Sequence, residues 1–231
     1  MHTSRQTGCE HVTARSIYVL LSVSTVVILK SSCATVDGPE SRPWVAQASR
    51  LQTDWETQWT ASQFIDPGEV RTENGMIYLE KGNNLTGITW PNPPCRIDYQ
   101  IALEAMRVSG DDFFCGLTFP VDEHVCTLIV GGWHGNTVGL SCVDYDDASN
   151  NETTQYMQFD PKRWYTIRLR VTRQNISAWI NELKVVDLDT QGRAITIRDE
   201  MEPSRPLGIA TWRTTAAIRN FQFRPLSSLS Q

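Results

Sequence analysis

The chain has 231 residues, 40% of them hydrophobic and 20% charged, with a formal net charge of −5. That is the size and composition of about one ordinary globular domain with enough apolar residues for a core. An acidic balance without a basic footprint excludes nucleic acid as a partner and leaves neutral ligands such as sugars, or cations.

In chain order, the first predicted element is a signal segment. Arg15 supplies a positive flank, an apolar run follows from Ile17 to Leu29, and Lys30-Ser31-Ser32-Cys33-Ala34 offers small residues for cleavage. The run is too short to span a bilayer and has the length of a signal core. The sequence therefore predicts an exported protein, secreted or held in the periplasm or cell envelope. Its parts are a signal segment 1–34, a polar lead-in 35–54, a domain over 55–226 and a tail 227–231. Lys30 stands where lipidation at Cys33 needs an aliphatic residue, which argues against a lipid anchor. Loss of Arg5, Glu10, Arg15 and Lys30 shifts the net charge to about −7. No later stretch approaches the roughly 18 apolar residues of a membrane span, so no transmembrane anchor is expected in the mature chain.

After a helical turn around 46–58, short apolar runs alternate with turns. Strands are predicted at 76–80, 97–107, 113–119, 125–130, 138–143, 164–172, 175–181, 184–188, 206–213 and 216–224. Many strands at close spacing, with no helical period between them, indicate an all-β sandwich or barrel. Over 97–105, Ile97, Tyr99, Ile101, Leu103 and Ala105 fall on one face and Asp98, Gln100, Ala102 and Glu104 on the other. This is the pattern of a strand that covers a core on one side.

Two hairpins can be registered from the sequence. A turn at Arg173-Gln174 pairs Val171 with Ile176, Leu169 with Ala178, and Ile167 with Ile180, so every inward residue meets another. It also sets Arg168 opposite Trp179 on the outer face, as a cation–π pair or a platform for a sugar ring. A loop over 131–137 pairs Val130 with Val138, Leu128 with Leu140, and Cys126 with Cys142. The cysteines Cys95, Cys115, Cys126 and Cys142 show no CxxC spacing, which excludes a usual zinc site. Export leaves disulfide pairing and buried free thiols both open.

Strand direction sorts the loops into two ends. Asp111, Asp112, Trp133 and His134 gather at one, and Asp122, Glu123, His124 and the run Asp144–Glu152 at the other. The acidic run, with Asp144, Asp146 and Glu152, carries the oxygen ligands that calcium takes but not the order of an EF-hand loop. A solvated acidic turn is the alternative, and no other cofactor is expected. Asp98 and Glu104 lie about 20 Å apart along a strand, too far to serve as a glycosidase pair. No G-x-S-x-G, phosphate loop or dinucleotide fingerprint occurs. Three triplets, at Asn84, Asn151 and Asn175, match the glycosylation acceptor pattern.

The run Trp164–Val171, then Ile176–Asn181 and Val185-Val186-Asp187, and finally Pro206–Ala210 leading to Ile218–Arg224, resembles the 3-keto-disaccharide hydrolase-like domain over about 55–225. The resemblance implies an exported, concanavalin A-like jelly-roll sandwich of two antiparallel sheets that acts on 3-keto-glycosides. The family's usual N-G turn is Asn181-Glu182-Leu183 here, and a strand near the expected ligand site reads Phe114-Cys115-Gly116-Leu117. Three uses are weighed. An enzyme would draw its acid and base from His134, Asp111 and Asp112. A carbohydrate-binding module would use Trp133, Arg168, Trp179, Trp212 and Arg213. A structural envelope protein would need no ligand.

Overall fold

The computed structural model describes residues 55–226, all within the compact unit Ala48–Gln231. The signal segment, Cys33, the lead-in and the 227–231 tail lie outside the described residues. Of the helical turn expected around 46–58, the described part is a 3-10 turn at Trp55–Gln58.

Two seven-stranded sheets make up the domain. The first runs in spatial order β1 (Thr60–Ala61), β4 (Leu85–Trp90), β13 (Leu207–Trp212), β6 (Cys115–Val121), β7 (His124–Gly132), β8 (Thr137–Ser141) and β9 (Gln155–Tyr156). The second runs β12 (Leu183–Asp189), β11 (Asn175–Ile180), β10 (Trp164–Val171), β5 (Tyr99–Ser109), β14 (Thr215–Pro225), β3 (Met76–Leu79) and β2 (Val70–Glu73). Every described pairing is antiparallel, and no α-helix occurs among the described residues. This is an all-β sandwich, as the strand pattern predicts, and the jelly roll that the resemblance implies.

Both predicted registers are present. Val171 pairs with Ile176, Leu169 with Ala178, Ile167 with Ile180 and Arg168 with Trp179. Val130 pairs with Val138 and Leu128 with Leu140. One residue beyond that hairpin's last pair, the Cys126 thiol lies 4.0 Å from the Cys142 carbonyl, and all four domain cysteines are free thiols. Burial pushes the Cys115 and Cys126 thiols up to about 12, which keeps both protonated.

The main core lies between the sheets and includes Tyr99, Ile101, Leu103, Leu117, Leu128, Leu140, Ile167, Leu169 and Ile209. A second cluster forms on the far side of the first sheet, where Phe64, Phe113, Ile129, Ala148, Met201 and Ala210 pack together. Small residues make room for it. A Cβ on Gly87 would lie 2.8 Å from the Phe64 ring and 2.7 Å from the Ile209 carbonyl, and one on Gly139 would lie 2.9 Å from the Ala148 carbonyl. Hydroxyls on this face are bonded internally: Thr118 to Thr127 at 2.9 Å and Ser62 to Thr89 at 2.6 Å. The central strands of the first sheet are therefore buried on both faces.

Double burial explains the strands that the sequence hid. β4 reads Leu-Thr-Gly-Ile-Thr-Trp and is buried along nearly its whole length; its two threonines fall on opposite faces, so no alternation marks an outer one. β1, β2 and β9 have two to four residues each, too few for a period to register. Because Gly87 lets Phe64 dock, Gly87→Ala is expected to lower stability by about 1–3 kcal/mol through overpacking. The check is urea unfolding, with a lower midpoint and an unchanged slope.

Candidate functional site

The end of the sandwich that carries Asp111–Phe113 and Gly131–Asn136 is built on a buried cation. Arg107 continues the inward parity of β5 after Tyr99, Ile101, Leu103 and Ala105, and is only 7% exposed. Its Nη2 donates to the carbonyls of Gly135 at 3.0 Å and Gly131 at 3.3 Å. Its guanidinium carbon lies 5.1 Å from the centre of the Phe114 ring. Burial lowers its pKa, while Asp112 and Asp111 act to raise it.

Asp112 grips the same loop from the opposite polarity. Its carboxylate accepts from the Phe113 N–H at 2.8 Å and also bonds the backbone N–H groups of His134 and Trp133. Burial raises the Asp112 carboxyl above its usual range, and those backbone donors only partly oppose it. Held between the two charges, Trp133 and His134 both adopt positive φ, 45° and 67°, between Gly131 at 78° and Gly135 at 94°. Consecutive non-glycine residues in this region are costly and persist only where their surroundings fix them. Glycine is required at 131 for a second reason: a Cβ there would lie 2.6 Å from Arg107 Nη2.

The loop turns its other groups outward. Trp133 is 36% exposed, and Asp111 and His134 are exposed. The contact between Asp112 and His134 runs through the histidine's backbone, not its imidazole. Thr214 braces this end by accepting from the Asp112 N–H at 3.2 Å.

The remaining expected ligand residues lie elsewhere or are engaged. Trp212 packs partly buried against the second cluster. Arg213 donates to the Asn83 carbonyl at 2.9 Å and to Asn84 Oδ1 at 3.0 Å, which ties its guanidinium to the neighbouring loop. Arg168 and Trp179 sit on the outer face of the second sheet, with the guanidinium carbon 5.4 Å from the indole centre and Lys184 Nζ 5.5 Å from it. They form a cation–π cluster away from the loop end.

In the acidic run Asp144, Asp147 and Glu152 are paired with arginines. Arg193 lies 2.9 Å from Asp144 and 2.7 Å from Glu152, and Arg198 lies 3.1 Å from Asp147 and 2.6 Å from Glu200. Among the described residues no group of three or more His, Cys, Asp or Glu is disposed to hold a metal ion. A calcium ion at Asp144, Asp146 and Glu152 would have to displace Arg193. The Asn151 amide donates to the carbonyls of Leu140, Asp146 and Asp147 and accepts from Thr153, so it organises this loop from within. A cleft of about 390 Å³ opens beside it, lined by Tyr145, Asp146, Asp147, Arg198 and Glu200 among others. The 120–124 tip does not share this loop's bonds; its Asp122 carbonyl accepts from Arg96 at 2.7 Å.

Sequence reasoning passed over Arg107, although a signal was present: the apolar parity of 97–105 points one step further, to a guanidinium. Arg193 and Arg198 gave no such signal, since each reaches the acidic run across some forty to fifty positions of chain.

Two predictions follow from the clamp. Arg107→Ala leaves the Gly131 and Gly135 carbonyls without their donor and is expected to cost about 3 kcal/mol, read by chemical denaturation. For Asp112, a raised folded pKa means that the folded state binds the proton more tightly than the unfolded state. Its contribution therefore becomes more favourable as pH falls. The melting temperature of the wild type relative to Asp112→Asn is expected to rise between pH 7 and pH 4, as measured by calorimetry.

Comparison with known proteins completes the description. Residues 47–224 match the model of the 3-keto-alpha-glucoside-1,2-lyase-like domain, and no curated protein matches the chain. Among solved structures, the carbohydrate-binding module CBM66 from Bacillus subtilis is similar with a TM-score of 0.51 at 11% identity, over 72% of this chain and 95% of that one. Domain 4 of AbnA, an extracellular arabinanase from Geobacillus stearothermophilus, gives a TM-score of 0.47 at 13% identity, over 72% and 82%. A Bacillus subtilis protein of unknown function with a galectin-like fold gives 0.48 at 10%, over 73% and 89%. At such identities the likeness is one of fold, and the first structure carries it.

Proposed function

Since this chain belongs to the 3-keto-alpha-glucoside-1,2-lyase-like domain family, we propose that it is an exported sugar-active domain that cleaves 3-keto-glycosides at the Asp111–Asp112 and Trp133–His134 end. One observation carries this reading. A single clamped turn presents a half-exposed indole and an exposed imidazole beside a half-buried carboxyl whose pKa is raised. The acidic cleft is the weaker choice, because Arg198 in its wall holds Asp147 and Glu200. Export is supported by the apolar segment Ile17–Leu29, and no helix among the described residues is long and apolar enough to cross a membrane.

In this reading Trp133 stacks on a sugar ring and Asp111 accepts hydrogen bonds from hydroxyls. The His134 imidazole takes the proton from the carbon between the ketone and the anomeric carbon. The electron pair left behind forms a carbon–carbon double bond as the glycosidic C–O bond breaks. The departing oxygen takes a proton from the acid of the site, a carboxyl of the Asp111–Asp112 pair. Addition of water to the double bond then gives the hydrolysis product.

A second reading keeps the site and drops the chemistry. The turn is exposed, whereas catalytic sites commonly exclude water, and the fold is shared with a carbohydrate-binding module. The two readings part in one experiment with a 3-keto-disaccharide. For an enzyme, His134→Gln lowers kcat by about 10²–10⁴-fold with little change in KM, and Trp133→Ala raises KM. For a binding module there is no turnover, and Trp133→Ala alone weakens binding. Full turnover by His134→Gln would remove the histidine from the mechanism.

A further inference from the structure

Among the described residues five large hydrophobic side chains stand exposed, and the aromatic ones are Trp133, Tyr145 and Tyr156. Tyr145 lies in the wall of the acidic cleft. Tyr156 is 70% exposed and sits on β9, at the edge of the first sheet.

The backbone ties Tyr156 to the clamped turn. It pairs with Thr137, and Thr137 pairs with Gly132, so the three form one row across β9, β8 and β7. The next residue, Met157, donates its N–H to the Asn136 carbonyl at 2.8 Å, and Asn136 donates to the Gly132 carbonyl at 3.2 Å. Trp133, His134 and Tyr156 are therefore carried by one hydrogen-bonded ladder. Residues directly opposite each other on antiparallel strands share a face. A Cβ on Gly132 would lie 2.7 Å from Ile129 and 3.9 Å from Asp112 Oδ1, so the row faces the side on which Asp112 lies. That is the outer side of the sheet, since Val138, the next residue of β8, belongs to the main core. Two strand spacings, about 10 Å, separate Gly132 from Tyr156. The row lies at the rim: Ala148 covers the sheet at Gly139, two residues or about 7 Å further along β8.

We propose that Tyr156 is the platform of a second sugar subsite, which receives the leaving sugar of a disaccharide whose keto ring is held at Trp133 and Asp111. The inference rests on the functional reading above and adds the class of leaving group, a pyranose and not a simple alcohol. The span from the turn to Tyr156 is that of two linked pyranose rings. A phenol offers an apolar face to the C–H side of a sugar and a hydroxyl at its rim for a hydrogen bond. Such a platform holds the second ring equally before and during cleavage, so it acts on KM and not on kcat. Because the side chain is mostly in water, its removal spares the fold.

The test is the kinetics of the full chain on a 3-keto-disaccharide and on methyl 3-keto-glucoside, which lacks the second ring. Tyr156→Ala is expected to raise KM for the disaccharide about 3–10-fold with kcat unchanged, and to leave both constants for the methyl glycoside as in the wild type. Tyr156→Phe keeps the ring face and is expected to keep most of the affinity. An unchanged KM for the disaccharide in Tyr156→Ala, an equal loss on both substrates, or a loss in Tyr156→Phe as large as in Tyr156→Ala would overturn the subsite while turnover at the clamped turn stands. Absence of turnover of either substrate by the wild type would instead overturn the catalytic reading. The subsite is then read from the dissociation constants of the same two ligands: weakening by Tyr156→Ala for the disaccharide alone supports it, and equal weakening, or none, overturns it.

Discussion

The constraint on which the rest of the structure depends is the burial of the first sheet on both faces. One face meets the second sheet in the main core, and the other is covered by Phe64, Phe113, Ala148 and Met201. Glycine and alanine at the outward positions of β4, β6, β8 and β13 let that cover approach to contact distance. A cover packed so closely leaves no room for a sugar chain to lie across the sheet.

At the loop end, opposite charges solve a backbone problem. The Gly131–Gly135 turn must hold consecutive residues at positive φ, which an unsupported chain would relax. Arg107 takes its carbonyls and Asp112 takes its amides. Burying both charges is costly, and their mutual attraction offsets part of that cost. The result is a turn whose shape is fixed from inside while its indole and imidazole face solvent. The acidic loop follows the same logic with less burial: Arg193 and Arg198 pair with Asp144, Glu152 and Asp147, and Asn151 bonds the Asp146 and Asp147 carbonyls together with that of Leu140 in β8.

Much of the fold was legible in the sequence. The ten expected strands are all present, and both hairpin registers agree pair by pair, because one apolar face and one polar face leave a single consistent pairing. β4 was not legible, since burial on both faces erases the alternation that marks a strand. The loop-end grouping could be read from strand direction, but the clamp beneath it could not, apart from the parity that points to Arg107. Surface indoles were read in part. The cation–π pair of Arg168 and Trp179, one of two uses weighed for it, is present with Lys184 beside it, and Trp212 packs against the second cluster. Composition says nothing about which indoles stay free.

The central claim is that a sugar ligand engages the clamped turn and not the sheet or the acidic cleft. The most direct measurement is backbone amide NMR during titration with a 3-keto-disaccharide. The account predicts shift changes concentrated at Asp111–Phe113 and Gly132–Asn136. Changes centred on Tyr145–Asp147 and Arg198–Glu200, with the turn silent, would contradict it.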